Sequence, residues 1–260
     1  MGDRTLVLLS PIGSDERCWD ALPVDRLGYP GTVERVLFPG QGDEPRQPGM
    51  TFESLADGVA GRLEGELDVV GLAVGASIAS QLLLRHPERV RSTVLVSAGF
   101  TKAAPPEERE RIVARGRRGL EHGMASIVDE MAERWFTLHA RLSGHPAVRY
   151  SRETLLATDP EGWVDLWKTV AARNSVPRER AEAIAQPVSL VGPVHDFTGG
   201  FRNVAALHGV LPRTRLQYID GPHMVHLERP LDLLAALDQH FVWVEDGGRR
   251  IDTPLYSSGS

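Results

Sequence analysis

One cysteine, Cys18, stands in a chain of 260 residues. It excludes an internal disulfide and any zinc site built on several cysteines, and it suits a reducing cytoplasm. Charge of one sign is not concentrated either: 29 Lys and Arg are dispersed among 35 Asp and Glu, and the formal net charge is −6. Without a basic stripe, a nucleic-acid partner is not expected. Arg117 and Arg118 form the one notable basic pair before the C-terminus, and such a pair reads as a solvated helix face. No apolar run reaches the length of a membrane-spanning helix. The short apolar run within Met1 to Ser10 follows an acidic residue and an arginine, and it is too short for a signal sequence. These absences predict a soluble, cytoplasmic protein with a small-molecule partner and no membrane or nucleic-acid partner; they leave the oligomeric state open.

What is present is hydrophobic content of 42% in a length that can bury one sizeable core. Short apolar runs alternate with longer helical patterns, the signature of βαβ units around a mostly parallel sheet. Six runs read as strands: Thr5 to Leu9, Val33 to Phe38, Asp68 to Leu72, Ser92 to Val96, Val188 to Val191 and Arg215 to Ile219. They are rich in Val, Leu and Ile, as a sheet covered on both faces requires. Helical spacing marks Phe52 to Leu63, Ala76 to Leu84 and Leu231 to Phe241. Between Phe100 and about Glu182 helical stretches follow one another without a strand, at Glu107 to Leu120, Met124 to Phe136 and about Glu161 to Arg173. The expectation is an α/β fold of six to seven strands, with core 1–99 and 183–245 and an inserted helical cap over 100–182. Residues 246–260, with Gly247, Gly248 and a Ser-rich end, read as a flexible tail. Trp135, Phe136, Trp163 and Trp167 fall in the cap, where they either roof a pocket or form the cap's own core.

The stretch from Val69 to Ser77 carries an apolar strand into a helix, with Gly71 and Gly75 two residues either side of Ala73. This is the G-x-S-x-G frame with alanine at the serine position. The motif needs a sharp strand-to-helix turn in a strained conformation, which closes only between small neighbours. Downstream, Asp196 follows a strand run within Gly-Pro-Val-His-Asp, and sites in open α/β sheets are built at such strand ends. His223 follows the last strand within Asp-Gly-Pro-His-Met. Asp196 is the candidate acid and His223 the candidate base, while His226 and Glu228 read as packing and helix-start residues.

Nearly the whole chain resembles the α/β-hydrolase superfamily, and within it the 3-oxoadipate enol-lactonase-like group. The pieces that carry the resemblance are Leu9 to Trp19, Phe38-Pro39-Gly40-Gln41-Gly42, Gly71 to Ser77, Arg134-Trp135-Phe136, Asp159-Pro160-Glu161-Gly162-Trp163 and Gly221 to Pro230. The resemblance implies a cofactor-free, metal-free enzyme with a Ser-His-Asp triad acting on a small lactone or ester. The sequence departs from that pattern in three places. Ala73 stands for the serine, Ser10-Pro11 stands where the family usually has His-Gly, and the loop from Gly192 to Asp196 looks one residue long.

An alanine methyl group has no lone pair with which to attack a carbonyl, so acyl transfer through a covalent intermediate is not expected. The oxyanion donors expected to remain are the backbone N–H groups of Val74 and Ile12. Ser77 is expected to face helix packing and Ser10 to be at best a polar contact in the pocket. Three functions are compatible with this set. The first is proton abstraction by His223 with the enolate held by the Val74 and Ile12 amides, leading to elimination, isomerisation or cyclisation. The second is a lactonase or esterase altered from Ser to Ala at residue 73, and the third a ligand-binding protein that has lost the chemistry. A carboxylate on the ligand would look for a cap arginine, with Arg134, Arg149 and Arg173 as candidates.

Overall fold

The computed structural model describes residues 4–97, 103–174, 176–198 and 200–257. The expected cap start at Phe100 and the last three tail residues lie outside the described residues. Along the core run β1 (Arg4–Leu9), β2 (Thr32–Val36), α1 (Phe52–Arg62), β3 (Glu66–Leu72), α2 (Val74–Arg85) and β4 (Val90–Val96). Six helices follow: α3 (Pro106–His122), α4 (Ala125–Trp135), α5 (Leu138–Ser143), α6 (Pro146–Ala157), α7 (Pro160–Ala171) and α8 (Arg178–Glu182). The chain then returns through β5 (Val188–Pro193), α9 (Gly200–His208), β6 (Thr214–Ile219), α10 (Val225–Glu228), α11 (Pro230–Glu245) and β7 (Leu255–Ser257).

The seven strands form one sheet in the order β2-β1-β3-β4-β5-β6-β7, and every pairing is parallel. Helices cover both faces, which is why β1, β3, β4 and β5 are buried along nearly their whole length instead of alternating. The chain moves outward from β1 to β2 and crosses back to β3 on the other side of β1. Such a reversal of strand order is the usual place for a site in an open α/β sheet.

The segment from residue 246 onward, expected to be a flexible tail, carries the short strand β7. Gly247 and Gly248 turn the chain with positive φ of 94° and 57°. Arg213 donates to both of their carbonyls, and the Trp243 indole donates to the Arg249 carbonyl. The returning strand pairs Gln217, Tyr218 and Ile219 with Leu255, Tyr256 and Ser257. Side-chain donors on neighbouring elements hold this return, so a composition of Gly and Ser did not reveal it.

The helices between β4 and β5 are fastened to the sheet's C-terminal side. Gly40 lies against Gly162 so closely that a Cβ on Gly40 would sit 2.8 Å from the Gly162 Cα. Arg46 reaches the buried Asp165 at 2.8 Å, and Thr169 donates to the Met50 carbonyl at 3.0 Å. Tyr150 and Thr154 both donate to Asp15, in the loop after β1. Among the described residues six helices occupy this segment, where the pattern predicted three.

Candidate active site

At the C-terminal end of β3, Ala73 joins strand to helix with φ 53° and ψ −109°. An L-residue reaches this region only under strain of about 1–3 kcal/mol, which the surrounding structure must enforce. Gly71 and Gly75 enforce it by close approach. A Cβ on Gly71 would meet the Gly75 carbonyl oxygen at 2.5 Å, and one on Gly75 would meet the Leu9 carbonyl oxygen at 2.1 Å. The Ala73 N–H donates to Val96 at 3.0 Å, tying the turn to β4. Ser97, at the end of β4, is the other described non-glycine residue with positive φ, at 59°. The two strained residues therefore stand at adjoining strand ends. Ser77 accords with its expected place: it is buried, with its hydroxyl at the edge of hydrogen-bond reach of the Ala73 carbonyl.

His223 and Asp196 meet across the ends of β6 and β5. The His223 Nδ1 lies 3.0 Å from Asp196 Oδ2, and both side chains are buried. Thr198 donates to Asp196 Oδ1 twice, from its backbone N–H at 2.8 Å and its hydroxyl at 2.6 Å, and its hydroxyl also lies 3.2 Å from His223 Nδ1. Burial works to raise the Asp196 pKa, but the His223 charge and the hydrogen bonds from His223 and Thr198 outweigh it and hold the carboxyl below its usual range. With Nδ1 donating to this carboxylate, the neutral imidazole presents its lone pair on Nε2. The loop before Asp196 is closed by backbone bonds from Val194 to Ile219 and from His195 to Gly221.

Thr198 was not anticipated. The spacing that betrays it is an Asp followed two residues later by an N–H that its carboxylate can accept, the Asx turn. Gly200 is the other unanticipated residue: a Cβ there would lie 2.3 Å from Asp196 Oδ2, so only glycine lets α9 start this close to the acid.

Ile12 is buried in the loop after β1, between Gly13 at φ 74° and Pro11. The Pro11 carbonyl accepts from Ser14 and from Gln41, at 2.9 and 2.6 Å, which pins the loop. Val74 is the first residue of α2, so its N–H has no intrahelical acceptor. Ser10 is buried and its hydroxyl accepts from the Trp19 indole at 3.1 Å, so it is engaged in packing. Trp135 and Trp163 reach the loop after β1, and a Cβ on Gly13 would meet their rings at 2.9 and 3.3 Å. Trp163 and Trp167 also pack edge to face between α3 and α7, with Gly116 and Gly119 making room. Both indole N–H groups are buried without a partner among the described residues.

His226 packs in the interior, and Glu228 holds a helix start. His226 is wholly buried beside Cys18 and Trp19, and burial, with the His223 charge, lowers its pKa to about 3. Burial pushes the Cys18 thiol up to about 12, so it is no stand-in nucleophile. Glu228 accepts from the Thr137 N–H and hydroxyl, holding the start of α5.

A strained strand-to-helix turn, a downstream acid and a downstream histidine, all at one sheet edge, agree with the family model for the Alpha/beta hydrolase family, which matches residues 6–237. The chain belongs to the alpha/beta hydrolase family. Among curated relatives of this α/β hydrolase are pimeloyl-[acyl-carrier protein] methyl ester esterases. That of Neisseria meningitidis serogroup C is 31% identical over 105 residues, 40% of this chain and 40% of the relative. That of Klebsiella pneumoniae is 32% identical over 103 residues, again 40% of each. The matched part thus spans about two fifths of these relatives' length. Among solved structures, the enol-lactonase from Burkholderia xenovorans shares the fold with a TM-score of 0.83 at 22% identity over 92% of each chain. A thermophilic esterase from Thermogutta terrifontis gives 0.82 at 20% identity, covering 95% of this chain and 91% of that one. Among the described residues, no helix is long and apolar enough to cross a membrane.

Proposed function

We propose that this α/β hydrolase is a cofactor-free enzyme that moves a proton on a small carbonyl compound, with His223 as base. The observation that carries the reading is a buried, hydrogen-bonded His223–Asp196 pair retained beside a turn that holds alanine. In this reading His223 Nε2 takes a proton from the carbon next to the carbonyl. Asp196 orients the ring and stabilises the imidazolium, and Thr198 fixes the carboxylate. The Val74 and Ile12 amides receive the enolate oxygen. Elimination, isomerisation or cyclisation follows from the enolate, and none of them needs a nucleophile at residue 73.

The test is deuterium uptake at the α-carbon of simple lactones and ketones in heavy water, followed by proton NMR. Wild-type protein should accelerate exchange and His223→Ala should not; exchange that persists in His223→Ala would remove the base assignment. A second reading, a lactone or ester hydrolase lacking its hydroxyl, is supported by the strained turn kept at Ala73 and by the esterase relatives. Under it, Ala73→Ser should confer ester hydrolysis and reactivity towards phosphonylating probes, to which the present chain should be inert.

A further inference from the structure

The loop after β1 reaches the site through the Pro11–Ile12 peptide. Ile12 is buried, and its N–H donates to none of the described residues, a state that a buried amide rarely keeps. The loop adjoins both neighbours that matter for chemistry. A Cβ on Gly75 would meet the Leu9 and Ser10 carbonyl oxygens at 2.1 and 2.9 Å, so the start of α2 lies against the start of the loop. The Trp135 ring packs against Gly13, and the Trp135 carbonyl accepts from the Met224 N–H at 3.1 Å, one residue past His223.

The carbonyl side of the same peptide is held from behind. A trans peptide turns its C=O and N–H to opposite sides, and no described peptide bond is cis. The Pro11 carbonyl accepts from Gln41 Nε2 at 2.6 Å and from Ser14 Oγ at 2.9 Å, so the Ile12 N–H faces away from both. Gln41 is buried and its amide has one orientation, because Oε1 accepts from the Phe38 N–H at 3.0 Å while Nε2 donates to Pro11. The turn that carries Gln41 closes on itself. Its N–H donates to the Phe38 carbonyl at 3.0 Å, its carbonyl accepts from Glu44 at 2.9 Å, and Gly40 donates to the Glu44 carbonyl at 3.0 Å. Ser14 is backed in turn by the buried Cys18 thiol, which donates to its hydroxyl at 3.2 Å. Two donors on one carbonyl draw electron density from the peptide nitrogen, which strengthens the N–H on the other side as a donor.

We propose that Gln41 is a positioning residue of the site: by donating to the Pro11 carbonyl it fixes and polarises the Pro11–Ile12 peptide, so that the Ile12 N–H is a preset donor for a developing oxyanion. The inference rests on the proton-transfer reading for the oxygen that is received. Gln41 acts through the peptide and not on the ligand, and a donor set in advance needs no reorganisation when charge develops.

Nuclear magnetic resonance reads this peptide without any substrate. Pro11-Ile12 is the one Pro-Ile pair in the sequence, so carbon-13 on proline carbonyls and nitrogen-15 on isoleucine give a single correlation, that of the Ile12 amide. Gln41→Met keeps the volume and removes the donor; it should shift the Ile12 nitrogen upfield, and Ser14→Ala should shift it the same way by less. The two valines that follow an alanine, Val74 and Val148, should hold their positions, whereas a general loosening would move them as well. In the deuterium-uptake assay with simple lactones and ketones, Gln41→Met should lower kcat roughly tenfold to a hundredfold and leave KM within about twofold, the mark of a contact made in the transition state. An Ile12 resonance that stays in place in Gln41→Met, equal shifts at Val74 and Val148, or an undiminished kcat beside a shifted Ile12 would each overturn the proposal. If Gln41→Met does not fold, the direction of the Ile12 shift in Ser14→Ala decides. Failure of the proton-transfer reading shows separately, as deuterium uptake that persists in His223→Ala while the Ile12 resonance still answers to Gln41.

Discussion

Ala73 holds a conformation that alanine does not favour, at positive φ and half-buried against the core. Ala73→Gly should therefore raise stability or leave it unchanged, by up to about 1 kcal/mol, since relief of the positive φ competes with the greater freedom of an unfolded glycine. Ala73→Val should lower stability by about 2 kcal/mol or more, because a β-branched residue at positive φ is strained further. Chemical denaturation of the three proteins measures both. At this scale the sequence was informative about reactive types and silent about their supports. Gly71, Ala73, Gly75, Asp196 and His223 announce themselves by spacing and order. Thr198 and Gly200 do not, because what places them is the course of one loop around a carboxylate. Ser10 carries a polar side chain that suggests the pocket, and its hydroxyl accepts from the Trp19 indole.

At the scale of elements, the long apolar strands were legible because burial on both faces leaves an unbroken run of Val, Leu and Ile. The three-residue β7 was not, since Arg213 and Trp243 hold it in place and its own composition does not. The helices α5, α6 and α8 were hidden in a stretch whose helical period has no strand to interrupt it. α11 shows how an element can be fastened by polar groups. His240 projects from it into the sheet, bonding Ser189 of β5 at 2.7 Å and Ser92 of β4 at 2.9 Å, and Ser92 in turn donates to the buried Asp68 of β3. Burial, with Arg215 and Arg91 nearby, lowers the His240 pKa to about 3, as it does for His226. Both histidines are neutral in the fold, while the unfolded chain takes up a proton on each below about pH 6.5. Stability should thus be unaffected by these groups above that pH. It should fall as pH drops towards about 3, with a slope approaching 1.4 kcal/mol per pH unit for each histidine. Denaturant midpoints measured along this range should show the decline, and His240→Gln should remove one share of the slope. A flat profile would mean that one or both rings protonate without unfolding.

For the whole molecule, seven parallel strands place every loop with chemistry on one edge, and the helices of 106–182 close over that edge through Gly40–Gly162, Arg46–Asp165 and Trp135–Met224. The other two margins of the sheet are β2 and β7. Only three residues long, β7 occupies the hydrogen-bonding side of β6 that would otherwise lie open from Gln217 to Ile219. An unpaired strand margin of this kind is a template for a second chain. A chain ended at Gly248 keeps the residues proposed for catalysis but exposes that template. It should self-associate on standing at temperatures where the complete chain stays monodisperse, as light scattering would register, with far-ultraviolet dichroism shifting towards intermolecular strand. Such an outcome would place the control of colloidal behaviour in Leu255–Ser257, which shield a margin built from Gln217–Ile219.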